Sequence, residues 1–169
     1  MGNQQERSLS WLAGILDGEG SISVEVHTLP DGRVRLTPFI CIVNTDEGIL
    51  AEAHRIFTEI VGDKGITYVY GHSGTNKRCS QIRINGGSGC KALLLEVLSY
   101  LRSSKHKNAE VVLAYIESRE QRLIERDALG RIKRSPYSRR EIDLICSIRS
   151  HAIAKSSEAI CQAPNVIAG

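Results

Sequence analysis

The sequence has no paired cysteines: Cys41, Cys79, Cys90, Cys146 and Cys161 stand apart, without a CxxC pair or a histidine at zinc-ligand spacing. Neither a zinc module nor a disulfide framework is indicated, and the five thiols read as buried or half-buried. No apolar run approaches the length of a bilayer span, and residues 1–10 are polar where a secretory leader needs an apolar centre, so the chain is expected to stay intracellular. A strong charge of one sign is missing too. Twenty-two Lys and Arg against 19 Asp and Glu leave a formal +3, too little by itself to establish a nucleic-acid partner. Gly86-Gly87-Ser88-Gly89-Cys90-Lys91 lacks the spacing and the Lys-Ser/Thr ending of a phosphate loop, and there is no GxSxG elbow. His54, His106 and His151 show no metal spacing.

What is present is a chain of 169 residues with 41% hydrophobic and 24% charged residues, the balance of a globular protein with one core. A single domain over 1–169 is expected. The basic residues cluster more than their total suggests, at Arg102, Lys105 and Lys107 and again at Arg131, Lys133, Arg134, Arg139 and Arg140.

Residues 8–17 are apolar and helix-compatible, with Ser8 or Ser10 available as a cap, and they run into Gly18-Glu19-Gly20. Residues 21–27 alternate strictly, Ile22, Val24 and Val26 on one side and Ser23, Glu25 and His27 on the other. A Pro30-Asp31-Gly32 turn then predicts a hairpin whose second strand spans about 33–44. Thr45 with Asp46 and Glu47 predicts a helix start, continued by Leu50, Ala53, Ile56, Phe57 and Ile60 and ended by Gly62. A second strand pair is expected at 66–71 and 78–85, then helices at about 90–100 and 107–125. Ser138 and Glu141 match a capping box opening a last helix with Ile142, Ile145, Ile148 and Ala152 along one face.

This order predicts an α+β fold: a four-stranded antiparallel sheet from two hairpins, helices on one face and the other face open. Alternation puts Ser23, Glu25, His27, Arg33, Arg35 and Thr37 of the first hairpin on the open face. The set expected from the second is Tyr68, Tyr70, His72, Lys77, Gln81 and Arg83, subject to its register, because a slip of one residue exchanges the faces. These are donors, acceptors and cations of the kind that read major-groove base edges; Glu25 can accept from cytosine N4. A solvated sheet face is the other reading.

Leu12-Ala13-Gly14-Ile15-Leu16-Asp17-Gly18-Glu19-Gly20 resembles the LAGLIDADG signature of homing endonucleases. Leu12, Ala13, Gly14, Asp17 and Gly20 are identical to the name-giving residues, while Ile15, Leu16, Gly18 and Glu19 are close substitutions. The resemblance implies that family's αββαββα core over about 8–125, its sheet laid on DNA as a saddle, with a helical extension over about 126–169. Ala13, Gly14 and Gly18 carry little or no side chain, so this helix can approach a second copy of itself while Leu12, Ile15 and Leu16 pack inward. Single-motif members act as homodimers, which implies a two-fold axis beside Glu19 and a pseudo-palindromic site. Two carboxylates brought together there call for a divalent cation, Mg2+ with Mn2+ or Ca2+ as alternative occupants, bound by Glu19 and, as the resemblance implies, by the Gly18 carbonyl.

By the same resemblance Asn44 lies near the metal and its water, though a turn-forming role is equally open to it. Lys105 matches a cation near the scissile phosphate, with Lys107 its neighbour; a plain charge at a helix start is the alternative. Asp17 is given a local hydrogen-bonding role. The function implied is site-specific cleavage of double-stranded DNA. An RNA-binding maturase and a non-catalytic DNA-binding regulator are the rivals on the same scaffold.

Overall fold

The computed structural model describes residues 2–70, 79–122, 128, 135–148, 163, 164 and 166. The fold is α+β, and the described residues form a four-stranded antiparallel sheet and five α-helices. Helix α1 (Gly2–Glu19) passes directly into strand β1 (Gly20–Thr28), and β2 (Val34–Asn44) leads to α2 (Glu47–Val61). A 3-10 turn (Asp63–Gly65) precedes β3 (Ile66–Tyr70) and β4 (Ser80–Asn85); α3 (Gly87–Val97) ends in a second 3-10 turn (Leu98–Tyr100), followed by α4 (Ser104–Arg122) and α5 (Arg139–Ile148). The strand order is β1-β2-β4-β3, so the two hairpins meet along β2 and β4.

By its internal contacts the chain divides into two compact units. The first comprises residues 1–23 and 38–110. In it Leu9, Leu12, Ala13 and Leu16 recur at helical spacing and are buried, as are Leu50, Ala53, Ile56 and Phe57 of α2 and Leu93, Leu94 and Val97 of α3. Ile22, Ile40, Ile42, Ile82 and Ile84 are buried on the strands, with Cys41 and Ser80. Helix α1 begins six residues before Ser8, because Gln4, Gln5, Glu6 and Arg7 are good helix formers and nothing breaks the run. It also continues through Gly18 to Glu19, past the glycine expected to end it. The chain then turns at Gly20, where a Cβ would lie 2.7 Å from the Leu16 Cα: only glycine lets β1 leave so close under the helix.

Two other starts differ from the sequence reading. Asp46, not Thr45, caps α2, its carboxylate accepting from the amides of Gly48 (2.8 Å) and Ile49 (3.2 Å). Helix α3 begins at Gly87 instead of Cys90, since the glycine-rich segment is recruited for packing: a Cβ on Gly89 would meet Ile84 Cγ2 at 2.9 Å and Val61 Cγ1 at 3.0 Å.

The second unit comprises residues 24–37 and 111–169. Its buried residues include Val24, Val34, Leu36, Val112, Tyr115, Ile116, Tyr137, Ile142 and Ile145. The hairpin turn is closed by hydrogen bonds from Gly32 N to Leu29 O (2.9 Å) and from Leu29 N to Arg33 O (2.7 Å). The expected capping box opens α5: Glu141 N donates to Ser138 Oγ at 3.3 Å and Ser138 N to Glu141 Oε2 at 2.6 Å. Glu141 is fully buried, and Arg122 (3.5 Å) and Arg119 (3.7 Å) balance its charge. Ala152, expected on the same helix face, lies outside the described residues, as do Arg131, Lys133 and Arg134 of the basic cluster.

Candidate active site

The last turn of α1 and the first residue of β1 gather the chemistry-bearing side chains of the first unit. Glu19 ends the helix with its side chain exposed, and Asn44, closing β2, donates from Nδ2 to Glu19 Oε2. The amide of Asn44 is not free to turn over. Its Oδ1 accepts from Asp46 N at 2.8 Å, which leaves Nδ2 as the face presented to the carboxylate. Lys105, in the first turn of α4, donates from Nζ to the carbonyl of Gly20, the residue after Glu19. Three residues from three separate parts of the sequence therefore meet at one junction.

Asp17 faces elsewhere. Its Oδ1 accepts from Ser103 Oγ (2.6 Å) and Ser103 N (3.2 Å), and its Oδ2 from Arg102 N (2.7 Å), so it caps the chain entering α4. Desolvation pushes its pKa up, but the Ser103 hydroxyl, the two backbone amides and the Lys105 charge together outweigh that and hold the carboxyl below its usual range. Ser103 Oγ in turn accepts from Lys105 N at 3.1 Å. The chain Asp17–Ser103–Lys105 thereby fixes where the Lys105 side chain starts, and Ser103 is a contributor that sequence spacing did not flag.

The exposed side of α1 carries Trp11, Gly14 and Gly18, with Ile15 half-buried beside them. A Cβ on Gly14 or Gly18 would meet nothing within 4 Å. Ala13 does not share this surface. It is fully buried in the core of the first unit, which corrects its expected place on an exposed helix face; Trp11, directly before the motif, is exposed instead.

On the sheet, cross-strand pairing decides the faces. Tyr68 pairs with Ile82, and Ile82 is buried on the helix side, so Tyr68 points the same way, its hydroxyl donating to Glu47. That corrects its expected position on the open face. The hydrogen bonds from Tyr68 and from Ser80 Oγ (2.8 Å) hold the Glu47 carboxyl below its ordinary pKa. The open face of the second hairpin is taken by Thr67 and Val69 with Gln81 and Arg83, in cross-strand rows that continue onto β2 as Thr67–Arg83–Cys41 and Val69–Gln81–Val43. Val43 and Val69 are exposed, at 43% and 48%. The Arg83 guanidinium lies 4.2 Å over the Phe39 ring and donates from Nε to Asn85 Oδ1 at 2.6 Å, which orients it across the face. Burial pushes the Cys41 thiol up against the influence of Ser21, Arg83 and Lys105.

Ser23 is half-buried on β1. In the second unit Glu25 and His27 stand 3.2 Å apart, Arg35 is exposed and Thr37 half-buried, in the alternation expected. Arg33 precedes β2, which opens at Val34, and its guanidinium is paired with Asp31 at 2.6 Å within the turn. Lys107 is exposed on α4. The side chain of Tyr70 and the whole of His72 and Lys77 lie outside the described residues.

Compared by sequence, the chain matches no family model and no curated protein. Compared by structure, it is similar to the homing endonuclease I-CvuI in complex with the I-CreI target, with a TM-score of 0.62 at 16% identity over 93% of this chain and 92% of that one. The chain has the LAGLIDADG homing-endonuclease fold. The archaeal intron-encoded homing endonuclease I-Vdi141I, complexed with DNA, matches over 92% of this chain and 93% of its own, at TM-score 0.61 and 14% identity. The LAGLIDADG meganuclease I-AabMI matches 95% of this chain at TM-score 0.61 and 19% identity, but the match covers only 50% of I-AabMI. The matches thus span about nine-tenths of two of these structures and half of the third.

Proposed function

We propose that the protein is a site-specific endonuclease that binds double-stranded DNA as a homodimer and hydrolyses a phosphodiester in each strand, with a divalent metal at Glu19. The observation that carries this reading is the convergence of Glu19, Asn44 and Lys105 at the α1–β1 junction. The relatives in complex with DNA support the substrate class; I-CvuI structures formed with Mg or Ca support the cofactor class.

The donor set fits a metal shared between two copies. Among the described residues no group of three His, Cys, Asp or Glu side chains could hold an ion; at the α1–β1 junction each chain would offer the exposed Glu19 carboxylate and the Gly18 carbonyl beside it. The uncrowded edge at Gly14 and Gly18 would admit a second α1 and bring a second Glu19 alongside, giving the oxygen-rich site that Mg2+ or Ca2+ takes. Such a cation would neutralise phosphate charge and make a water molecule easier to deprotonate. Asn44 sets the rotation of the Glu19 carboxylate. Lys105, anchored through Ser103 and Asp17, supplies a fixed positive charge for the developing phosphate charge. Arg35, Arg83, Gln81, Thr67 and Thr37 face the bases and backbone, while Lys107 contributes backbone charge. A symmetric dimer requires a pseudo-palindromic target.

The test is incubation with DNA from the gene's own insertion locus, with and without Mg2+, beside a Glu19→Gln variant. Cleavage by the parent protein, lost in the variant while binding persists, is the expected result. Cleavage retained by Glu19→Gln contradicts the assignment, and binding confined to intron RNA favours the maturase.

A further inference from the structure

Pairing between β2 and β4 stops at Phe39 and Asn85, after which Gly86 N donates to Pro38 O at 2.9 Å and the chain turns into α3. In an antiparallel ladder alternate residues point both polar backbone groups to the same side, so Leu36 directs its N–H and C=O to this edge, where β4 no longer runs. Two phenols take the place of a strand. Leu36 N donates to Tyr137 Oη at 3.1 Å, and Tyr115 Oη donates to Leu36 O at 3.1 Å. Together the two hydroxyls hold the N–H and the C=O of Leu36. Tyr115 and Tyr137 are buried, at 3% and 9% exposure. Arg119 braces the arrangement, lying 4.5 Å over the Tyr137 ring and donating to Ser135 O at 3.2 Å.

An unpaired edge backbone can change its twist, and Leu36 sits between Arg35 and Thr37. We propose that Tyr115 and Tyr137 are positioning residues for DNA reading: by holding both polar atoms of Leu36 they fix the direction in which Arg35 and Thr37 meet the bases. This rests on the DNA-binding reading above and adds a specificity role for residues that touch no DNA.

The test uses Tyr115→Phe and Tyr137→Phe, which keep the rings and remove one hydroxyl each. A randomised duplex DNA library is selected with the parent protein in Ca2+. Arg35→Ala then marks the base positions that this end of the hairpin reads. Each Phe variant is expected to lose about threefold to tenfold in discrimination at those marked positions, with preferences elsewhere unchanged. Amide exchange at Leu36 without DNA should be faster in Tyr137→Phe. A loss of folded protein would lower binding to every site equally and leave these ratios in place. Ratios unmoved at the marked positions, or an Arg35→Ala that marks none, overturn the positioning role while leaving DNA binding intact. A parent protein that enriches no sequence overturns both.

Discussion

Asp17 and Glu19 flank Gly18, yet they serve different partners. Asp17 spends both oxygens on the start of α4, whereas Glu19 keeps an exposed carboxylate with Asn44 beside it. Because the Asp17 carboxyl is held below its usual range in the folded protein, its stabilisation is complete at pH values above the ordinary carboxylate pKa and is lost as the pH falls through the folded value. Asp17→Asn should cost about 1 kcal/mol near neutral pH, a modest figure because water screens the site. Thermal unfolding of both proteins between neutral and acidic pH would show the curves converging at the acid end; a constant gap would contradict the assignment. Glu19→Gln, by contrast, removes no buried partner. Its unfolding free energy should stay within about 0.5 kcal/mol of the parent, so a loss of cleavage in that variant reports chemistry.

Among the elements, the α1–β1 junction is the least forgiving. Gly20→Ala would drive a methyl group against backbone at Leu16, and a destabilisation of about 2 kcal/mol is expected, measurable by denaturant unfolding. The sheet faces give a paired prediction: Arg83→Ala should weaken DNA binding, whereas Tyr68→Phe should lower the melting temperature and leave DNA affinity unchanged, since its hydroxyl bonds Glu47 on the helix side. Titration of labelled duplex separates the two. The element order and the open face of the first hairpin were legible because strict alternation from Ile22 to His27 leaves one solution. In the second hairpin β4 alternates as well, but β3 does not, as Tyr68 suits either face; only its pairing with Ile82 decides it. The helix starts at Gly2 and Gly87 were missed for a related reason. Local propensity marks where a helix can begin, while packing, as at Gly89 against Ile84, decides where it does. The motif singled out Glu19, Asn44 and Lys105, which the fold brings together; Ser103, Tyr115 and Tyr137 were not legible, because each acts through a contact distant in sequence.

For the molecule as a whole the account depends on two copies pairing through α1. That helix presents an exposed Trp11, Gly14 and Gly18 surface, and among the described residues no helix is long and apolar enough to cross a membrane. Gly14→Leu places a side chain in open space within the subunit, so the monomer should fold with unchanged or higher stability while the dimer fails to form, a combination read by sedimentation and thermal melting together. Gly18 gives the sharpest probe, being exposed next to the carboxylate that is to meet its counterpart. With Cys79, Cys146 and Cys161 replaced by serine, Gly18→Cys can be oxidised on duplex DNA and its mass read without reductant. A covalent dimer that still binds DNA is the predicted result, because a disulfide needs the two Cα atoms within about 7 Å of each other. A product that stays a single chain while bound to DNA would place the two Glu19 carboxylates too far apart to share a metal, and would contradict the account.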